Sequence, residues 1–270
     1  MPFIAVILAG FVFAQSLPFE PVHDAGQSIT GAFEGWFPNP DGSFSLLLGY
    51  YNRNQRQSLE IPIGPENRIE PGGLDRGQPT YFLPGRQWGV FTITVPKDVG
   101  KLTWTLVANG KTTVIPLSLN PLWEIQPLTD ASGNTPPFIG FSEMGSFFQG
   151  PKESRKSLAG SGPVTLTVWV ADDAKAPSTA LRPVGPPVSV TWSKFRGPGA
   201  VMFSNDRPSV EKASFHAPES AIFTGVATTT ATFSEPGEYI LRVVANDWSG
   251  DGGRGFQCCW TNAQVKVTVK

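Results

Sequence analysis

Apolar and polar residues alternate in many short segments of this chain, most regularly in residues 164–170, Val-Thr-Leu-Thr-Val-Trp-Val. A period of two directs successive side chains to opposite faces, so it predicts β-strands with one buried face. Similar segments recur and are separated by Gly, Pro, Asn and Asp. The predicted strands are 29–36, 43–51, 58–63, 80–83, 88–95, 101–108, 112–117, 164–170, 188–192, 231–233, 236–243 and 265–269.

Two short segments have the composition of hairpin turns. Residues 39–42 read Asn-Pro-Asp-Gly, and residues 108–111 read Ala-Asn-Gly-Lys. Pairs such as Asn-Gly and Asp-Gly favour tight turns because these residues tolerate a positive φ. We therefore predict that each segment joins two antiparallel strands. The whole pattern predicts an all-β chain, since it has no run of Ala, Leu, Glu and Lys at helical spacing.

The predicted strands fall into two groups, which indicates two immunoglobulin-like β-sandwich domains joined by a Gly/Pro-rich segment. The N-terminal domain spans 28–127 and the C-terminal domain spans 163–270, and each is long enough to bury its own core. Residues 128–162 are predicted to be a linker or a covering loop. We expect apolar residues in this segment to cover a sheet edge or a seam. These residues are Phe138, Ile139, Phe141, Met144, Phe147 and Phe148.

A set of motifs occupies the last third of the chain. Residues 233–243 read Phe-x-x-Pro-Gly-x-Tyr-x-Leu-x-Val, Asn-Asp follows at 246–247, and Val-x-Val-x-Val ends at residue 269. Over about 160–270 the sequence resembles the PKD-type immunoglobulin-like domains of extracellular proteins, which implies adhesion, protein contact or spacing. Standard members carry an Asp-Phe-Gly-Asp-Gly loop where this chain has Ser-Lys-Phe-Arg at 193–196, which indicates a divergent subgroup. The first half is similar to uncharacterised secreted bacterial proteins, and that likeness implies no activity.

The charge balance argues against some classes of partner. Charged residues make up 16% of the chain and the formal net charge is −1, whereas typical soluble proteins are about 25% charged. The sequence therefore lacks the basic surface with which proteins bind nucleic acid or anionic lipid. We expect a protein or glycan partner at the cell surface and no nucleic-acid partner.

The first fourteen residues contain no charged side chain and are almost continuously apolar from Phe3 to Ala14. Such a run is too short for a helix that spans a bilayer of about 30 Å, and a small residue precedes Gln15. We predict a signal peptide at 1–14, with a buried N-terminal strand as the alternative. The chain is then secreted or periplasmic. Membrane insertion after cleavage is not expected, and no cysteine follows the run to carry a lipid.

The two cysteines, Cys258 and Cys259, are neighbours. Adjacent Cα atoms lie about 3.8 Å apart, closer than in most disulfides, so a bond between the two requires a strained ring. Three states remain open in an oxidising compartment: a vicinal disulfide, two buried thiols, or a bond to another chain. A zinc site is not expected, because it would need both sulfurs and both histidines, His23 and His216, to converge.

Acidic residues follow two of the predicted strands in the C-terminal domain. Asp172 and Asp173 follow one strand, and Asp247 and Asp251 follow another. Ca²⁺ binds six to eight oxygen atoms, so these carboxylates together with loop carbonyls are candidate calcium ligands. Alternatively, the side chains only close turns through hydrogen bonds to the backbone. The sequence has no spaced Asp-x-Asp-x-Asp-Gly loop, which favours the second interpretation. No other cofactor is expected.

Aromatic and polar residues occur together in one predicted hairpin. Its candidate ligand-binding residues are Tyr50, Tyr51, Asn52, Arg53 and Asn54. Of two adjacent aromatic residues on a strand, one should face outward, where a ring can stack on a sugar or fill a partner's pocket. Amide and guanidinium groups donate hydrogen bonds to polar ligands. The alternative is that these aromatic residues belong to the core.

The sequence gives little support for catalysis. Both histidines fall in loops, where no rigid element would hold them beside a nucleophile. Paired carboxylates can hydrolyse glycosides, and the N-terminal domain offers four whose spacing specifies no site: Glu60, Glu66, Glu70 and Asp75. We therefore expect a non-catalytic binding, adhesion or spacer protein. A carbohydrate-binding module is the first alternative, and a secreted hydrolase with carboxylates at the domain seam is the second.

Overall fold

The described part of the chain is all-β, with one short 3-10 turn at Pro121–Trp123. The computed structural model describes residues 23–151, 155–175, 185–247 and 258–270, so the predicted signal peptide and Asp251 lie outside it. Within these ranges no helix is long and apolar enough to cross a bilayer. The strands are β1 (Ile29–Pro38), β2 (Phe44–Asn52), β3 (Leu59–Glu60), β4 (Asn67–Glu70), β5 (Tyr81–Phe82), β6 (Gly85–Val95), β7 (Leu102–Ala108), β8 (Lys111–Leu117), β9 (Phe138–Gly140), β10 (Phe147–Gln149), β11 (Arg155–Gly160), β12 (Val164–Asp172), β13 (Ser189–Arg196), β14 (Val201–Phe203), β15 (Glu211–Lys212), β16 (Phe223–Phe233), β17 (Gly237–Asn246) and β18 (Trp260–Val269).

Strands β1–β8 form the N-terminal half around one aromatic core. One sheet has the order β1-β2-β6, a second has the order β4-β7-β8, and β3 pairs with β5. Trp104 is fully buried, and its ring centroid lies 5.3 Å from that of Phe91 and 6.5 Å from that of Phe82. Seven of these strands overlap the predicted segments. The sequence did not predict β4, because Ile69 is its only apolar residue and no alternation is visible.

Both predicted hairpin turns are confirmed. The amide of Gly42 donates a hydrogen bond to the carbonyl of Asn39 between β1 and β2. Asn109 and Gly110, with φ values of 49° and 74°, join β7 to β8. A positive φ at both central residues is the geometry that an Asn-Gly pair adopts readily in a two-residue hairpin.

Strands β9–β18 form the C-terminal half as a sandwich of two sheets. One sheet has the order β10-β9-β12-β16-β14, and the facing sheet has the order β11-β18-β17-β13. The last two long strands, β17 and β18, are neighbours in the second sheet, which faces β9-β12-β16-β14, and this arrangement is found in immunoglobulin-type sandwiches. The segment 128–162 contributes β9, antiparallel to β12, and β11, parallel to β18. Much of this segment is therefore part of the sandwich and covers edges of both of its sheets.

Tyr239 joins β17 to the turn that precedes it. Its hydroxyl donates a hydrogen bond to the carbonyl of Glu235 at 2.7 Å and accepts one from the amide of Gly199 at 3.0 Å. A tyrosine that bonds the backbone a few residues upstream is the tyrosine corner of immunoglobulin folds. Gly197 faces the same ring, and a Cβ there would lie 2.1 Å from it. The Pro-Gly-x-Tyr motif thus has a packing role.

Phe195 connects the two halves. A bulge in β13 between Lys194 and Arg196 takes Phe195 out of the regular ladder with β17. Its side chain is 2% exposed and packs in the core of the N-terminal half. The amide of Thr80 also donates a hydrogen bond to the carbonyl of Phe195 at 3.1 Å. We call the contacts between the two halves the seam.

Two ion pairs flank Phe195 at the seam. The ammonium of Lys194 lies 2.9 Å from a carboxylate oxygen of Glu60. The guanidinium of Arg196 donates two hydrogen bonds, of 2.9 and 2.8 Å, to the carboxylate of Asp75. Lys194 is buried, so its charge depends on Glu60 for compensation. Lys194, Phe195 and Arg196 therefore each contact the N-terminal half.

We expect Tyr239→Phe to lower the free energy of unfolding by about 1.5 kcal/mol, because it removes the hydroxyl that bonds both Glu235 and Gly199. Urea denaturation measures this change. Tyr51→Phe is the matched control, since Tyr51 is exposed, and it should stay within about 0.5 kcal/mol of the parent chain. Equal effects of the two variants would contradict the proposed role of the corner.

We expect Phe195→Ala to lower the free energy of unfolding by about 3–5 kcal/mol through the cavity it leaves. Because the ring fills the N-terminal core, amide hydrogen exchange should accelerate in β4 and β7 as well as in β13. Phe203→Ala, in the partly buried edge strand β14, serves as the control and should leave exchange in β4 and β7 unchanged. Acceleration confined to β13 would contradict the insertion.

Candidate functional site

The two halves leave an open cleft beside Phe195, which we call the seam cleft. Its volume is about 770 Å³, within the range of roughly 300–1,000 Å³ that is typical of ligand sites. One wall comes from β3, β5 and β6, and the other comes from β13, β14 and the turn before β17. The side chains that line it include those of Glu60, Tyr81, Arg86, Trp88, Trp192, Lys194, Arg207, Glu235 and Trp260.

Two aromatic rings on the wall from the N-terminal half each lie beside a cation. The guanidinium carbon of Arg86 lies 3.9 Å from the ring centroid of Trp88, and Arg86 also bonds Glu34 at 2.7 Å. On the facing wall, the ammonium of Lys194 lies 5.0 Å from the ring centroid of Tyr81. These contacts hold both rings at the cleft by cation–π attraction as well as by packing.

Two indole groups at the cleft, those of Trp192 and Trp260, are buried, with 2% and 3% exposure. Within the described residues, the Nε1 atom of each is buried and lacks a hydrogen-bond partner. Trp192 packs in the core of the C-terminal half, and Trp260 packs with Phe37 and Leu47. Their N–H groups are therefore not exposed to the cleft.

Close backbone approach fixes the position of Trp260 in the cleft. Gly89 has a φ of 46°, and a Cβ at this position would lie 2.2 Å from the indole ring. The side-chain amide of Asn262 donates a hydrogen bond to the carbonyl of Gly89. Arg242 is buried beside them and donates to the side-chain oxygen of Asn262 at 2.7 Å. This second part of the seam combines polar contacts with an apolar cluster, in which Trp260 packs with Phe37 and Leu47.

The structure corrects the predicted ligand-binding hairpin for three of its five residues. Tyr50, Asn52 and Asn54 are buried. The amide of Asn52 donates to the carbonyls of Gln57 and Phe82, and that of Asn54 donates to Gln27 and Asn52. Tyr50 accepts a hydrogen bond from the amide of Leu83 through its hydroxyl, and burial raises its pKa. These side chains hold loops together and are not available to a ligand.

Tyr51 and Arg53 are the two hairpin residues that remain at the surface. Tyr51 is exposed, and the guanidinium carbon of Arg53 lies 5.5 Å from its ring centroid. Arg53 also donates a hydrogen bond to the hydroxyl of Thr30. One exposed ring with one cation is a smaller set of ligand contacts than the seam cleft offers.

Three of the four predicted calcium ligands lie close together at one end of the C-terminal sandwich. Asp172, Asp173 and Asp247 are all buried, and Asp251 lies outside the described residues. Burial, together with the charges of Asp247 and Asp173, raises the pKa of Asp172 to about 8. Among the described residues, no three His, Cys, Asp or Glu side chains converge in a geometry that would hold a metal ion.

The carboxylates considered for hydrolysis are mostly committed to ion pairs. Glu60 binds Lys194, Glu70 binds Arg68 at 2.7 Å, and Asp75 binds Arg196. Glu66 is exposed, as are His23 and His216. Of these carboxylates and histidines, only Glu60 lines the seam cleft.

Of the three states considered for Cys258 and Cys259, the structure has the disulfide between them, and both residues are buried.

Sequence reasoning did not identify the residues that form the seam cleft. Trp88 begins a predicted strand, but nothing in the sequence indicates that it lines one cleft with Trp192. The available signal was Lys-Phe-Arg at 194–196, an aromatic residue between two cations, and all three residues contact the N-terminal half.

Comparisons with known proteins leave the family open. No family model matches the chain, and no curated protein matches it. Among solved structures, it is similar to a chain described as dimeric latent PorU from Porphyromonas gingivalis, with 12% identity and a TM-score of 0.28. The match covers 90% of this chain and 24% of the PorU chain. Likeness at this level carries no argument about fold or function.

Glu34 should make stability depend on pH. It is buried, accepts hydrogen bonds from Gly89 and Arg86, and has a raised pKa because burial outweighs the attraction of Arg86 and Arg242. The folded chain then holds the proton more tightly than the unfolded chain. The free energy of unfolding should therefore fall as pH rises from about 4.5 through the raised pKa, and level off above it.

The test is urea denaturation of the parent chain and of Glu34→Gln across this pH range. The substitution should remove part of the slope, because an amide does not titrate. Glu238→Gln is the control, since Glu238 is exposed and pairs only with Lys266 among the described ion pairs. An identical slope in the parent chain and in Glu34→Gln would rule out Glu34 as its source.

Proposed function

We propose that this chain is an exported, non-catalytic binding protein that holds its ligand in the seam cleft. The observation that carries the proposal is the cleft itself, which has a volume of about 770 Å³ and is lined by Tyr81 beside Lys194 and by Trp88 beside Arg86. A concave site with ring faces and cations suits a ligand that has both apolar and polar groups.

The composition of the cleft walls favours a glycan as that ligand. Tyr81 and Trp88 offer ring faces, Arg207 offers donors, and Glu235 offers an acceptor at the rim. Sugars present apolar faces and many hydroxyl groups that both donate and accept. The cleft is concave and has the volume of a site for a small or oligomeric ligand, rather than a flat protein interface. This agrees with a role at the cell surface.

The resemblance of residues 160–270 to PKD-type domains supports the same role. The strand order and the tyrosine corner of the C-terminal half are those of an immunoglobulin-type sandwich. In this proposal the signal peptide at 1–14 directs export.

A structural spacer is the second candidate function, and the seam favours it. Phe195, its flanking ion pairs and the bonds from Asn262 and Arg242 to the loop of Gly89 join the halves into one unit. A rigid two-sandwich rod keeps a fixed length between its ends. This candidate requires no ligand in the cleft.

The test is a glycan array with the full chain, followed by calorimetric titration of any glycan that binds. We expect Trp88→Ala to weaken binding at least about tenfold, because it removes a ring from the cleft wall. Trp88→Phe should retain part of the affinity. Trp123→Ala is the matched control, since Trp123 is half-exposed and outside the cleft, and it should change the affinity less than about twofold.

Other outcomes separate the alternatives. Absence of glycan binding, with capture of a defined protein partner instead, would replace the glycan proposal by protein adhesion. Absence of both would favour the spacer. Turnover of a chromogenic glycoside or ester by the purified chain would contradict the non-catalytic assignment and favour the hydrolase.

A further inference from the structure

A second group of polar side chains, distinct from the seam cleft, collects oxygen acceptors at the end of the C-terminal sandwich. Asp172 ends β12 and Asp247 follows β17, so the two come from opposite sheets. Asn134, from the loop before β9, lies with them and donates its amide N–H to a carboxylate oxygen of Asp247 at 2.5 Å. We call these three residues the acceptor cluster. All three are buried.

Two oxygen atoms of the acceptor cluster have no hydrogen-bond donor among the described residues. One is Oδ1 of Asp172, whose other oxygen accepts from the amide of Ala174 at 2.8 Å. The other is Oδ1 of Asn134, whose residue is 0% exposed. A buried carboxylate oxygen and a buried amide oxygen without donors are unfavourable unless a cation or bound water meets them.

The loop around Asn134 is held by its own hydrogen bonds. The carboxylate of Asp130 accepts from the amide and hydroxyl of Ser132 and from the amide of Asn134, at 2.6–3.0 Å. Lys175 binds the carbonyl of Gly133 at 2.8 Å, which joins this loop to the end of β12. Asn134 is therefore fixed in the position that directs its amide to Asp247.

Asp173 is adjacent to the cluster but its oxygens are already used. It accepts from the hydroxyl of Thr135 and from the amide of Lys175, both at 3.0 Å, and its carboxylate lies 3.6 Å from the ammonium of Lys175. It therefore holds the loop rather than a ligand. Asp172 has no ion pair with a described Lys, Arg or His, so no described cation balances its charge when it is ionised.

We propose that Asp172, Asn134 and Asp247 bind a calcium ion that ties the loop of Asn134 to both sheets of the C-terminal sandwich. The donor set is oxygen only, which suits Ca²⁺ and not Zn²⁺, and the two nearby sulfurs are joined in the disulfide of Cys258 and Cys259. Two carboxylates with an amide oxygen leave the remaining positions to backbone carbonyls and water.

The experiment is calcium titration of the full chain, first stripped with EDTA, by calorimetry and by thermal unfolding. Saturating CaCl₂ should raise the unfolding midpoint by about 5 °C, because the ion binds only the folded chain. MgCl₂ at the same concentration should have a smaller effect, since Mg²⁺ requires a regular octahedron of ligands. No calcium binding by the parent chain, or an equal shift with MgCl₂, would overturn the proposal.

Substitutions in the acceptor cluster test whether these residues bind the calcium ion. Asp172→Asn and Asn134→Ala should each abolish the calcium-dependent shift, whereas Asp98→Asn, which removes an exposed carboxylate of the N-terminal half, should retain it. In EDTA, Asp172→Asn should unfold no earlier than the parent chain, because it replaces a buried carboxyl group, whose Oδ1 has no donor among the described residues, by an amide of similar shape. A merely structural role for Asp172 predicts the opposite, a loss of stability in EDTA. Undiminished calcium binding by Asp172→Asn would also overturn the proposal.

Discussion

The arrangement of this molecule depends on the burial of one ring, that of Phe195, in the core of the half to which it does not belong. Burying a phenylalanine side chain stabilises the folded state by roughly 1.5–3 kcal/mol. Phe195 makes this contribution only while both halves are folded and in contact. The ion pairs of Lys194 and Arg196 lie on either side of it and fix the direction of approach. The seam cleft exists because the halves meet there and diverge beyond it.

Much of the fold was predictable from local pattern, and the exceptions have physical causes. Alternation located most of the long strands, although it marked only residues 231–233 of β16, and Asn-Gly chemistry located the hairpin at Asn109. Strands such as β4 and β15 carry almost no apolar alternation, since they pair at edges or face loops, and they were missed. The segment 128–162 was expected to cover an edge because of its phenylalanines, but its pairing in two different sheets depends on the completed sandwich.

Residue type alone was a poor guide to the site. Tyr50 and Asn52 have side chains that are common in binding loops, yet both are buried and hydrogen-bond to other parts of the protein. Their burial depends on a loop distant in sequence, around Phe82, so it cannot be inferred from the residues next to them. Asp172 and Asp247 were identified because each follows a strand that alternation predicts. Asn134 was missed, because it lies in the Gly/Pro-rich segment and meets them only after β9 has joined β12.

The edge strand β13 makes the C-terminal sandwich depend on contact with the N-terminal half. Strand β13 is the last strand of its sheet, so one side of its backbone pairs with β17 and the other side has no strand beside it within the described residues. The N-terminal half covers the end of β13 at Phe195, and β11 protects the opposite edge by pairing with β18. Unprotected edges template association with other chains. A C-terminal sandwich without the N-terminal half would therefore expose Phe195 on an edge strand that has no partner strand beside it. Such a fragment would self-associate rather than remain a separate folded domain.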